Sequence, residues 1–285
     1  MISSSNNDLY YSACLYLQHQ IEQRGAAFRN HSGYYYKVED RELPNLNVYA
    51  LPFKSLIYDH SISGATIPTG VWVNSNYVVK NQSGLIAIDY INSRAIFSGG
   101  STYSNLSVSG RYAIKDFNIW PSTKSDEELI FETKYQLNPS YNRGLSGIDK
   151  NALVVPGIFI TNLNTENEIL AFGGLLENTT NIHCVILADS KDQLDAVGGL
   201  LADEKYSSFP VFSKTPLNYY GDYKSGNYNY IDYIGPTSGQ NLAFIDDASF
   251  YRLSSKDFSD KYPDLKAGFC EFHCKMVKTV NRSIY

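Results

Sequence analysis

The chain has 285 residues, 43% of them apolar, and a formal net charge of -5. That is ample for a buried core and too apolar for disorder, while the acidity disfavours non-specific nucleic-acid binding, because phosphates need a basic face. No apolar run reaches the length of a membrane span, and the opening MISSSNNDLYYSACLYLQHQ lacks the basic end and apolar core of a secretory leader.

The first predicted element is a helix. Ser5 to Asp8 offer N-cap side chains, Tyr10, Ala13, Cys14, Leu17 and Ile21 recur at three and four, and Gly25 stops it. The stretch to residue 46 reads as extended chain and loop, since Pro44 bars a helix. From Asn47 to Trp120 short strands punctuated by glycine follow one another, the pattern of a compact sandwich or barrel-like sheet. Within them GLIAIDYINSRAIF (84–97) reads as a hairpin with a two-residue turn at Asn92-Ser93, where Asn tolerates a positive φ. RYAIKDF (111–117) has no purely apolar face and predicts a thin layer.

Ser125 caps an expected helix, DEELIFETKYQL, with acids in its first turn. A loop at 138–150 leads to strands ALVVPGIFITN and EILAFGG. NIHCVILADS is nearly continuously apolar, as a central strand requires. Ser190 and Gln193 then form a capping box for a helix over 190–203, with a stripe of Leu194, Val197, Leu200 and Leu201. Gly198 and Gly199 each weaken that helix by about 1 kcal/mol relative to alanine, so packing must compensate. A tyrosine-rich loop and strands NLAFIDD, SFYRL and GFCEFHCKMVKTV complete the chain. The expected class is α+β: a mixed sheet packed by a few helices, with an added antiparallel β-rich layer. The expected units are 1–46 (helix and extended arm), 47–120 (hairpin module) and 121–285 (α+β core, to which 1–46 can belong).

Catalytic and metal patterns are weak. GATIPTG (64–70) lacks the Lys-Ser/Thr of a phosphate loop, and Ser146 in GLSG has the wrong spacing for a nucleophile elbow. Asp246 and Asp247 are adjacent in a strand and face opposite ways. Asp59, His60 and Ser61 are chain neighbours, whereas triads are assembled from separated segments. Cys270, Phe272, Cys274 and Met276 share one strand face and read as core, with His273 opposite. Neither an enzyme nor a cofactor or metal is expected. Tyr219, Tyr220, Tyr223, Tyr228, Tyr230 and Tyr233 leave three readings open: a cover for neighbouring sheet, a protein interface, or a glycan contact. Lys191, Asp192 and Asp195 on the exposed side of helix 190–203 are the other interface candidates.

GLIAIDYINSRAIFSGG…SGRYAIKDFNIW resembles hairpin modules of tailed-phage virion proteins. NIHCVILADSKDQLDAVGGLLAD resembles the central strand and packed helix of tail-terminator and neck proteins, which also open with a helix ending at glycine, here Leu9 to Gly25. The resemblance implies a ring-forming virion subunit joining head and tail, assembled in the host cytoplasm. Its partners would be itself, as a hexamer or dodecamer, and adjoining connector, tail-tube or sheath proteins, with DNA only as passing cargo and no membrane. Many terminators are about half as long, which makes 47–120 an addition. The rival readings are a carbohydrate- or receptor-binding tail module and, more weakly, a hydrolase.

Overall fold

A computed structural model describes residues 5–24, 27–132, 135–137, 153–171, 175–212, 215–234, 241–254 and 256–279. The expected loop at 138–150, with Ser146, lies outside them. Helix α1 (Ser5–Glu22) precedes β1 (Phe28–Val38), β2 (Asn47–Ala50), β3 (Gly70–Val73), β4 (Asn76–Val79), β5 (Leu85–Asp89), β6 (Arg94–Phe97) and β7 (Val108–Lys115). These strands form an antiparallel sheet ordered β4-β3-β7-β1-β2-β6-β5. Then come β8 (Asn118–Pro121), the parallel pair β9 (Tyr135–Leu137) and β10 (Leu153–Val155), β11 (Gly157–Ala171), β12 (Leu175–Ala188), α2 (Lys191–Ala202), β13 (Ser208–Pro210), α3 (Tyr230–Tyr233), β14 (Leu242–Arg252), α4 (Lys256–Lys261) and β15 (Lys266–Thr279). The second sheet runs β13-β14-β15-β12-β11-β8. The class is α+β, and β12 is central between β11 and β15.

Helix α1 joins the two sheets. One side meets the second sheet: Tyr10 donates its hydroxyl to the Ile160 carbonyl at 2.6 Å, and the Tyr16 ring stacks on Phe209 at 5.2 Å. The other side meets the first sheet through Gln18, His19 and Glu22, which partner Tyr58, Asp59 and Lys115. The helix is therefore buried nearly all round, which explains why polar residues interrupt its apolar stripe. A core shared by both sheets results, and a second core lies on the far face of the second sheet around Leu129, Phe159, Val185 and Phe258.

Several local expectations are corrected. The extended arm contains β1, whose first part pairs with β7 and whose end pairs with β2, so the 46/47 boundary cuts through one sheet. β8 belongs to the second sheet, on the other side of the 120/121 division. The β7 segment is not a thin layer: Tyr112, Ala113, Ile114 and Lys115 are all buried, because segment 51–58 covers it and Glu22 accepts the lysine inside. The hairpin turn spans residues 90–93 instead of two residues. Asp89 fastens it by accepting from the Ile91 and Asn92 N–H groups at 3.0 and 2.9 Å, and the positive φ falls on Ser93 at 56°. Ser125 and Glu128 do form a reciprocal capping box, but it starts only a short segment ending in a π-helix (Glu128–Glu132), which directs Leu129 and Ile130 into the second core. ALVVPGIFITN and EILAFGG are not two strands. β11 runs continuously to Ala171, with bulges between Asn162 and Asn164 and between Ile169 and Ala171.

Candidate functional site

The capping box of α2 forms as expected at its Ser190 end, which accepts the Gln193 N–H at 3.2 Å; the Gln193 side chain reaches back to the Asp189 N–H. Leu194, Gly198 and Leu201 are buried. Gly198 explains its own presence: a Cβ there would sit 2.5 Å from the Phe250 ring, whereas one at Gly199 meets nothing within 4 Å. Lys191 and Asp192 are exposed. Asp195 is engaged within the molecule by a two-pronged pair with Arg252 of β14, one arm of which measures 2.6 Å.

The tyrosine-rich loop does not form a contiguous exposed patch. Tyr219 is 81% exposed and Tyr220 is half-buried, but Tyr223, Tyr228 and Tyr230 are buried. Tyr223 donates to the Tyr58 carbonyl at 2.6 Å and packs 4.7 Å from Tyr90; Tyr228 lies against Tyr58 and Tyr233. Lys80 pairs with Asp222 at 2.6 Å and fastens the loop to the first sheet. Burial raises the pKa of all three buried tyrosines. The large rings cover the sheet, with Tyr223 also donating to a carbonyl and the Tyr230 hydroxyl buried without a hydrogen bond among the described residues, which is the first of the three readings open at the sequence level.

The fold brings together a group that sequence spacing hid. Asp59 pairs with His19, from α1, and not with its neighbour His60. Its Oδ2 lies 3.0 Å from His19 Nδ1, and its Oδ1 accepts from the Ser61 hydroxyl at 2.7 Å and the Tyr230 N–H at 2.9 Å. The His19 ring stacks on Tyr230 at 4.5 Å. Burial alone would raise the Asp59 pKa, but these hydrogen bonds outweigh it and hold the carboxyl below its ordinary value. A nucleophilic triad needs carboxylate and hydroxyl on opposite ring nitrogens. Here Ser61 lies 3.4 Å from the same Nδ1 and gives its proton to Asp59, so the group ties α1, the 59–61 turn and α3 together. Beside it Lys115 lies 2.6 Å from Glu22 as an ion pair without a well-directed hydrogen bond, and 4.5 Å from the Tyr58 ring centre. Burial raises the Glu22 pKa against the pull of that lysine.

Cys270 and Cys274 lie on the core face, with His273 exposed opposite. Burial pushes the Cys14, Cys270 and Cys274 thiols up to about 12. No cluster of metal-ligating side chains occurs among the described residues. Asp246 and Asp247 sit at a bulge of β14 and pair with Lys275 and Lys205 at 2.8 and 2.7 Å.

The surface that sequence reading missed is the outer part of the second sheet. β8 pairs with β11 only over Gly157–Ile160, and the Ser122 N–H to the Ile160 carbonyl is the last link on that side. From 161 to 171 β11 bonds to β12 alone among the described residues. This stretch reaches roughly 35 Å at strand rise. Leu163 is 62% exposed and Ile169 78%, and on β14 and β15 Phe244 and Val277 are also exposed. No period-two pattern marks NLNTENEIL, because both faces meet solvent. The apolar run 182–188 does not signal it, because that run pairs with 157–162, whereas the exposed stretch pairs with 175–181.

No protein-family model matches the chain, and no curated protein is significantly similar to it.

Proposed function

We propose that the chain is a structural subunit of a tailed-phage virion, acting in the neck or at tail completion, where it assembles into a ring between head and tail and performs no reaction. The observation that carries this reading is the outer edge of β11 over 161–171, which has no strand partner among the described residues. An unpaired strand edge is a template for another chain, and a ring requires a contact between two different surfaces that closes by rotation. The edge on one subunit and the face of β14 on the next that carries the exposed Phe244 side chain provide two such surfaces. The sequence resemblance to neck and tail-terminator proteins supports the same station. The acidic balance suits a channel through which DNA slides without sticking, because like charges oppose phosphate binding.

Docking in this reading rests on the sheet edge rather than on the tyrosine loop, whose central rings are committed to the core. Negative-stain images of the concentrated protein, together with antibody labelling of virions, test the proposal. Rings, with label at the head–tail junction, are expected. Single subunits at every concentration, with label elsewhere or absent, would overturn it.

A further inference from the structure

We propose that the open face of the first sheet binds an acidic saccharide, a chain of sugar rings carrying a carboxylate. Backbone register places Tyr34 of β1, Ser109 of β7, Trp72 of β3 and Tyr77 of β4 in one row across the sheet. Side chains in such a row point to the same face. Ser32 and Arg111 form the next row, and Tyr36 stands two residues beyond Tyr34 on the same strand face. Tyr34 is 62% exposed, and Tyr36, Tyr77 and Arg111 are exposed as well. Farther along, the same face is covered, where Phe28 packs with Ile57, Ile62 and Ala113. Tyr77 is held in place. Its hydroxyl lies 2.9 Å from Thr69 Oγ1 and its ring centre 4.8 Å from that of Trp72, and a Cβ at Gly70 would come 2.9 Å from a carbon of its ring.

At ordinary strand spacing Tyr34 and Trp72 stand roughly 10 Å apart, with the small Ser109 between them. That separation suits alternate rings of an extended sugar chain. A pyranose offers an apolar C–H face to an aromatic ring and hydroxyls at its edge. Ser32 and Ser109 can donate to and accept from those hydroxyls, and neither is engaged by another group among the described residues. Charge selects within this class. Arg111 is the one charged side chain in the two rows, and no carboxylate pairs with it among the described residues. A guanidinium takes a carboxylate through two parallel hydrogen bonds. A second copy of the chain docked here by two-fold symmetry would set Arg111 near its own equivalent, because such a contact uses the same patch on both sides. A single nucleic-acid strand requires a positive groove along its phosphates, which one arginine on a chain of net charge -5 does not supply. This reading rests on the first sheet and is independent of assembly through β11.

A glycan array carrying uronate-bearing, sialylated and neutral saccharides, probed with the whole chain, tests it. Binding is expected on carboxylate-bearing saccharides and not on neutral ones, and the two acidic sets show which sugar acid is preferred. The best acidic saccharide is then titrated in solution while tryptophan emission is followed, with polyglutamate and oligothymidylate as competing probes. Tyr34→Ala and Trp72→Ala should each abolish the saturable change, and Arg111→Gln should weaken binding by about tenfold or more, the loss of a charge-assisted pair. If Trp72→Ala does not fold, Tyr34→Ala decides, since so exposed a ring can be removed with an unaltered circular dichroism spectrum. No binding on the array, neutral saccharides bound as well as acidic ones, binding indifferent to Tyr34→Ala or Arg111→Gln, or tighter binding of polyglutamate or oligothymidylate would each overturn the proposal.

Discussion

The two sheets treat their strand ends in opposite ways. In the first, segment 51–58 bonds to the 90–93 turn on one side and to β7 on the other: Ser55 and Leu56 donate to the Ile91 and Tyr90 carbonyls, and Ile57 donates to that of Ala113. Its hairpin 85–97 is buried along both strands. In the second, hairpin 157–188 is buried at one end and runs past its last outer neighbour at the other. In the first sheet buried cations enter paired with carboxylates, Lys115 with Glu22 and Arg94 with Asp40, and the buried Asp89 is held by the N–H groups of its own turn. The other leaves the outer side of 161–171 without a strand partner among the described residues. In the proposed reading the first sheet supplies stability and the second the contact, and the difference can be tested residue by residue.

The largest expected effect lies in the closed half. Lys115→Met leaves the Glu22 carboxylate buried and unpaired, and should destabilise the protein by about 3–5 kcal/mol in urea unfolding; Glu22→Leu combined with Lys115→Met should recover much of that loss. Next is the tyrosine loop that covers this half. Tyr228→Ala should cost about 3 kcal/mol, as expected for a large buried ring, whereas Tyr219→Ala should change unfolding by less than about 0.5 kcal/mol. Equal effects would mean that the loop is not a cover.

The adjacent glycines of α2 offer a comparison within one helix turn. Gly198→Ala drives a methyl group into Phe250 and should cost about 1–3 kcal/mol. Gly199→Ala should stabilise by up to about 1 kcal/mol through helix propensity, and thermal unfolding of the two variants gives the signs. At the 90–93 turn the effect is smaller. Ser93→Val should cost about 1–2 kcal/mol, because a β-branched residue resists positive φ, while Ser93→Gly should be neutral or stabilising. A harmless valine would mean that the left-handed position is elsewhere.

The sequence disclosed what periodicity carries. The core face of Cys270, Phe272, Cys274 and Met276, the central strand 182–188 and the capped helix after Ser190 follow from alternation, apolar runs and capping chemistry. Polar residues whose partners lie far along the chain were not legible. His19 meets Asp59, and Glu22 meets Lys115, only once α1 is enclosed by both sheets. The tyrosine loop read as cover, protein interface or glycan contact, because one amphipathic side chain serves all three. The stretch 161–171 carried no pattern, since a strand exposed on both faces has no reason to alternate.

The account's central claim is that the β11 edge is the assembly surface. Lysine on an edge blunts pairing with another chain, and Leu163 and Ile169 are exposed enough that replacing them costs the subunit little. Sedimentation velocity of wild type and of the Leu163→Lys, Ile169→Lys double variant across a concentration series, with thermal unfolding as a fold control, tests it most directly. The account predicts a closed oligomer that grows with concentration for wild type, and a folded monomer for the variant. A variant that assembles as well as wild type, or a wild type that stays monomeric throughout, would contradict it.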